Sequence, residues 1–320
     1  MLYQSTRDKI DTFTAHRVLR ENCPKDGGCF LPFRIPMLEK EEYKKLSGSG
    51  FLDNLATLLN RFFNTTISAW DLECVLGKTP AVFMPVSQKV AFVQLWNNPK
   101  KNFRYLLRST YRTLVGNESG KEAPTLWARL AIRISFVCAA VIELGKQGIQ
   151  QADFAVNAGD FEQAFAVYYS KQMGLPIRKI IIGCNDNSNL WDFVNRGVFH
   201  CDASVHKTDL PDLDVAIPVC FEAFLFTAFG HQNTCKYLQC MAESADYQLE
   251  EEQLTEMGGE LFASVIGSER VALVRNSMKR TDNCDLDPYT AVSVAALQDY
   301  RAKTGESRST IIFAEYSPKG

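Results

Sequence analysis

The residues of this chain whose types and spacing could do chemistry gather in two turns and on one helix face. Asn157-Ala158-Gly159-Asp160 follows a short apolar run and leads into Phe161-Glu162, while Asn185-Asp186-Asn187 follows an isoleucine-rich run. Turns of this kind at the carboxyl ends of strands border ligands in parallel sheets. Asp160 and Glu162 form a carboxylate pair able to act as general acid and base, or simply an acidic first turn that suits a helix dipole. Arg104, Arg108 and Arg112 recur every four residues, hence on one face; guanidinium forks there suit carboxylate or phosphate, or else form a solvated surface of salt bridges. The pairs Cys23/Cys29 and Cys235/Cys240 lack zinc-ligand spacing, so no metal site is expected. His16, His200, His206 and His231 are dispersed.

Those turns need strands and helices to hold them. Ala152–Val156 reads as a strand, and Phe161–Met173 as a helix stopped by Gly174 with Pro176 beyond. Arg178–Cys184 reads as a strand buried on both faces. The unit is a βαβ crossover. Before it, spacing predicts helices over Ile10–Arg20, Glu41–Leu46, Phe51–Phe63 and Phe103–Leu114, a strand at Val90–Leu95, and a long buried helix over Thr125–Gly145. After it come a strand at Leu213–Ile217, a very apolar helix at Phe221–Phe229 and helices near 232–245 and 249–258. Val271–Lys279, a helix at Ala291–Ala302 and a strand at Thr310–Glu315 follow. Phe221–Phe229 is expected to be core, or an interface if nothing covers it.

With 320 residues, 46% hydrophobic and 22% charged, the chain can bury one large or two moderate cores. A net charge of −2 gives no electrostatic case for nucleic acid or an anionic membrane. Ten scattered cysteines read as reduced and buried rather than as a disulfide framework. Leu126–Leu144 is interrupted by Arg129, Arg133 and Glu143, so it reads as a buried helix, not a span. The polar start MLYQSTRDKI has no signal-peptide pattern, and the expected location is cytoplasmic.

Several segments, in order, resemble threonine synthase, a pyridoxal-phosphate enzyme of the tryptophan-synthase-β-like type II fold. They are the opening through Ser5-Thr6-Arg7, Asp26-Gly27-Gly28 with Pro32, Leu95 to Arg104, and Leu126-Trp127-Ala128-Arg129. Gly159-Asp160-Phe161 with Met173-Gly174-Leu175-Pro176, Asn185-Asp186-Asn187, Asp214 to Glu222, Asp287-Pro288-Tyr289-Thr290-Ala291-Val292, and Tyr316-Ser317-Pro318 continue the series. The resemblance covers nearly the whole chain. It implies an α/β fold with a Rossmann-like three-layer large domain at 86–320 and a helical N-terminal region at 1–85. The family's small phosphate-binding domain, on the order of 100 residues, is expected to be deleted near 116–122.

The chemistry-bearing positions depart from the family. Where the resemblance places the Schiff-base lysine this chain has Arg104, whose guanidinium stays protonated and forms no such imine. Asn97 and Asn98 replace the family's histidine and glycine, Lys100 and Lys101 lie nearby, Glu162 replaces a glycine, and Glu315 begins the segment expected near the pyridine nitrogen. No catalytic residue is therefore assigned. The expected ligand cleft comprises Asn97, Asn98, Lys100, Lys101, Arg104, Gly159, Asp160, Phe161, Glu162, Asn185, Asn187 and Glu315. The expected function is binding or regulation, with no cofactor. A small amino acid or phosphorylated ligand, a second copy, or a homologous enzyme would be the partner. The alternative is an active pyridoxal-phosphate enzyme converting O-phosphohomoserine to threonine, or a related lyase, through a non-standard lysine.

Overall fold

The structure is a computed structural model describing residues 1–8, 10–87, 89–96, 101–116 and 123–318. It begins with strand β1 (Leu2–Ser5), strand β2 (Thr12–Thr14), helix α1 (Ala15–Arg20) and strand β3 (Phe30–Pro32). The three strands make an antiparallel sheet in the order β2-β1-β3. The helix expected over Ile10–Arg20 is thus shorter. Phe13 pairs opposite Tyr3 and packs edge-on against Phe30 at 5.0 Å, Ile10 stays exposed, and the helix starts at Ala15 with Thr14 as its cap. Two apolar residues three apart fit one helical turn equally well, and cross-strand pairing decides between the two. Helices α2 (Lys40–Ser47), α3 (Phe51–Phe63) and α4 (Ala69–Leu76) complete the N-terminal part, so it is a mixture of helix and sheet.

Strand β4 (Val82–Ser87) crosses residue 85 and pairs antiparallel with β5 (Val90–Gln94). Helices α5 (Phe103–Val115) and α6 (Leu126–Lys146) lead to β6 (Ala152–Asn157), α7 (Glu162–Gln172) and β7 (Ile177–Cys184), the βαβ unit read from the sequence. Then follow α8 (Asn189–Arg196), β8 (Val198–Phe199), α9 (Phe221–Glu243), β9 (Tyr247–Gln248), α10 (Glu251–Glu260) and β10 (Leu261–Val265). Helices α11 (Ser268–Thr281) and α12 (Pro288–Thr304) precede the last strand, β11 (Thr310–Ala314). The main sheet runs β10-β7-β6-β11-β5-β4, parallel except at the β4 edge.

Strand period and layer number agree. Ile180, Ile182, Ile311 and Phe313 enter one core with α3, α6 and α7. Ile181 and Ile312, one residue out of step, enter the other with α11 and α12. A central parallel strand is covered on both faces, hence the unbroken isoleucine run. α6 carries buried residues around most of its circumference and is the central helix of the first layer.

Two further expectations change. Leu213–Ile217 is not a strand: Pro211–Leu213 forms a 3-10 turn, and the segment is held by side chains instead of a neighbour. The Asp214 carboxylate accepts from the Thr208 amide at 2.8 Å, the Thr208 hydroxyl at 2.7 Å and the Asn185 amide at 2.7 Å. The helices near 221–229 and 232–245 join as α9 across a break at Gly230, whose φ of 77° and ψ of −179° are open to glycine and strained for other residues. β10 escaped the sequence reading because a five-residue strand with one half-buried edge carries little pattern.

Gly183 of β7 lets α12 approach the sheet. A Cβ built there would lie 2.6 Å from Val292 Cγ1 and 2.8 Å from the Val292 carbonyl oxygen. Gly183→Ala is therefore expected to destabilise the fold by about 1–3 kcal/mol through overpacking. It should read as a lower urea midpoint with an unchanged m-value; an unchanged midpoint would mean the helix shifts freely.

Candidate functional site

A cleft of about 340 Å³ opens where the carboxyl ends of β6 and β11 meet the first turns of α5, α6 and α7. Chain order turns in opposite directions on the two sides of β11, and such switch points are where open parallel sheets leave a crevice. The turn after β6 bends sharply. The Ala158 amide donates to the Gly183 carbonyl at 2.7 Å, and Phe161 takes the left-handed conformation at φ 65°. For a bulky aromatic residue this costs about 1–3 kcal/mol. It is held because the Phe161 ring is buried edge-on against Phe224 at 5.1 Å. The bend places Glu162 at the start of α7, where Asp160 Oδ1 accepts the Glu162 amide at 3.1 Å.

Glu162 does not face solvent. Its Oε1 accepts from Arg129 Nε at 2.6 Å and its Oε2 from Arg133 Nε at 3.2 Å. Both arginines lie on α6, four residues apart and so on one face. Arg133 also donates to Glu315, just beyond β11, and stacks its guanidinium 4.6 Å over the Phe103 ring. Glu315 Oε1 accepts in addition from Gln163 Nε2 at 2.9 Å. Burial, with Asp160 behind it, pushes the Glu162 carboxyl above the usual carboxylate range, while Arg133 and Arg129 pull it back. Burial alone would lower Arg133; Glu315 and Glu162 outweigh it and keep the guanidinium charged.

Across the cleft, Tyr316 donates to Asp212 Oδ2 at 2.6 Å and stacks on Tyr289 with ring centroids 4.6 Å apart. Tyr289 is set by the α12 start, where Asp287 caps the Thr290 amide at 2.9 Å and Pro288 occupies the first turn. Arg104 approaches Asp212 at 3.8 Å and is mostly exposed. Arg108 lines the cleft beside it and makes no ion pair with a described residue. Gln163 Oε1 is buried with no hydrogen-bond partner, although its residue lines the cleft.

Residues 2–79 match the family model for the threonine synthase N terminus. Threonine synthase from Pseudomonas aeruginosa is 29% identical over 178 residues, covering 55% of this chain and 37% of that protein. Human threonine synthase-like 1 is 26% identical over 239 residues, covering 72% of this chain and 31% of that protein. The crystal structure of pyridoxal-phosphate-bound threonine synthase from Brucella melitensis superposes with a TM-score of 0.84 at 20% identity, over 99% of this chain and 89% of that one. The yeast threonine synthase structure gives 0.85 at 16% identity, over 99% and 87%. The chain is similar in sequence to threonine synthases and has their type II pyridoxal-phosphate fold. Its matched segments span well under half the length of the curated threonine synthases, 37% and 40% for the first two.

The cleft gathers Arg104, Gly159, Asp160, Glu162 and Glu315 of the residues expected from sequence. Asn97, Asn98 and Lys100 lie outside the described residues, as does most of the 116–122 stretch. Lys101 Nζ sits 5.5 Å from the Tyr105 ring centroid and does not line the cleft, and Arg112 is exposed apart from it. Phe161 is buried behind the cleft, in the α9 aromatic cluster. Asn185 and Asn187 stand outside it: with Thr208 they clamp Asp214, and so hold the turn that presents Asp212. Sequence reasoning missed Gln163, Asp212 and Tyr289 as cleft residues. It passed over Arg129 and Arg133 as interruptions of an apolar helix, although two arginines four apart in such a helix are the signal of a buried anion.

A Schiff-base cofactor requires a lysine amine, and none lines this cleft among the described residues. The described donor set is guanidinium, carboxylate, amide and phenol.

Because the folded pKa of Glu162 is raised, its contribution to stability is full below the ordinary carboxylate range and is lost as pH rises through the raised value. Arg133 opposes that loss. Arg133→Met is expected to destabilise by about 3–5 kcal/mol near neutral pH, and by clearly less once acid neutralises the carboxylates. Urea unfolding at about pH 7 and about pH 4 measures both; equal deficits would rule out the carboxylates as its partners.

Proposed function

We propose that this threonine synthase-like chain has lost pyridoxal-phosphate catalysis and is a binding protein with a regulatory role. Its cleft would take a small amino-acid or phosphorylated anion. The observation that carries this reading is Arg104 on the cleft wall, with no lysine among the described lining residues. An arginine at this place binds anions and forms no imine. The middle of the cleft is spanned by the Arg129–Glu162–Arg133–Glu315 network, which satisfies its own charges.

Of the arginines lining the cleft, Arg104 and Arg108 are the least committed to the protein, and they suit the carboxylate or phosphate of a ligand. Gln163 Oε1 offers an acceptor to an ammonium or hydroxyl. Tyr289 and Tyr316 supply a flat wall on the α12 side. The reading puts the chain outside membranes, in the cytoplasm, and among the described residues no helix is long and apolar enough to cross one.

The second reading, an active pyridoxal-phosphate enzyme, is favoured by the names of the relatives. One experiment separates the two. After incubation with pyridoxal phosphate and desalting, the protein is expected to show no aldimine absorption band, and borohydride trapping no adduct by mass spectrometry. A retained band with an adduct on Lys100 or Lys101 overturns the binding-protein reading. In the same preparation, Arg104→Ala and Arg108→Ala should each weaken O-phosphoserine binding by about tenfold or more, the size of one lost charge-assisted hydrogen bond. Titration calorimetry measures this, and wild-type affinity in both variants would remove the arginines from the site.

A further inference from the structure

A second cavity, of about 200 Å³, lies between α7, α9 and α10 and is separate from the cleft. Its walls are Tyr168 and Gln172 from α7, Phe224 and Phe229 from α9, and Glu256 and Glu260 from α10. Tyr168 is nine-tenths buried at 9% exposure, and no hydrogen bond to a described residue occupies its hydroxyl. Glu260 is half-satisfied: Oε1 accepts from Lys171 Nζ at 2.8 Å, while Oε2 is buried and unpartnered. Leaving a buried carboxylate oxygen bare is expensive, so Glu260 Oε2 calls for a donor, and Tyr168 lines the same small space.

The remaining surface says what kind of donor. The Phe224 and Tyr168 rings stand edge to face at 5.0 Å, and Ala228, Phe229 and Met257 add apolar wall. Phe229 is placed there because α9 breaks at Gly230; Asn233 Nδ2 and Thr234 Oγ1 then donate to the Phe229 and Gly230 carbonyls at 3.0 and 3.1 Å. The charged groups around the space are Glu256, Glu260 and Lys171, and Lys171 is already committed to Glu260 Oε1 and the Arg178 carbonyl. Aromatic faces beside net negative charge attract organic cations. Burial, then Glu260 and Glu256, raise the Tyr168 pKa, so its hydroxyl keeps its proton.

We propose that this cavity binds a small organic cation, a primary alkylammonium of a few carbons. Its ammonium donates to Glu260 Oε2 and the Tyr168 hydroxyl, and its alkyl part lies against Phe224 and Phe229. Nothing in this depends on the role of the cleft or on a cofactor.

The test is titration calorimetry of the full chain with n-butylammonium chloride, against tetramethylammonium chloride and sodium chloride at equal ionic strength. Saturable one-to-one binding of n-butylammonium is expected, with tetramethylammonium weaker because it has no N–H to donate. Glu260→Gln should weaken binding by about tenfold and Tyr168→Phe by several-fold, as for loss of a charged and a neutral hydrogen bond. If Glu260→Gln does not fold by circular dichroism, Tyr168→Phe carries the test, since it removes a hydroxyl that the protein itself leaves unpaired. Absence of saturable binding to the folded wild-type chain overturns the proposal. So does wild-type affinity in both variants.

Discussion

A carboxylate held between two arginines on one helix organises this molecule. Removing Glu162 and most of Arg133 from water carries a large desolvation cost, offset only by good geometry. Here it is met by hydrogen bonds of 2.6 and 3.2 Å and by sharing Arg133 with Glu315. The network ties α6, α7 and the end of β11 at one point. It also accounts for the left-handed backbone at Phe161, since a relaxed turn would not deliver Glu162 to α6. The aromatic cluster that traps the Phe161 ring is thus part of the same constraint.

That constraint shapes the cleft. The carboxyl ends of parallel strands provide the crevice, and the family resemblance and the structural superpositions agree on the fold that makes it. A fold hosts many chemistries, however, and the chemistry belongs to the side chains. In this threonine synthase-like chain the described lining carries guanidinium, carboxylate, amide and phenol groups. They recognise charge and form hydrogen bonds. Two layers of positioning stand behind them: the Asp287 cap that sets Tyr289, and the Asp214 clamp that sets Asp212.

Much of the scaffold was legible in the chain itself. The isoleucine run of β7 announced a strand buried on both faces, because side-chain period two leaves no polar position when both faces are covered. Glycine and proline after Met173 ended α7 where the structure ends it, and Asp287-Pro288 marked the start of α12. Asn157 to Glu162 was placed at a strand end, and in the structure this turn borders the cleft. Short elements were less legible: β2 was taken into a helix, and Leu213–Ile217 was read as a strand, because a few apolar residues fit either period.

Local pattern by itself determined the βαβ unit, while the three-layer architecture and the arginine in place of a lysine were legible only through the family resemblance of those local motifs. These depend on residue type and short-range spacing. Tertiary structure alone decided that Glu162 meets Arg129 and Arg133, that Glu315 joins them across 182 residues of chain, and that Asn185 and Asn187 serve a loop rather than the cleft. It alone left Tyr168 and Glu260 facing a shared cavity. The physical reason is that ion pairs and cavities arise where elements distant in sequence converge, and a carboxylate's partner is set by packing over tens of residues that no local periodicity records.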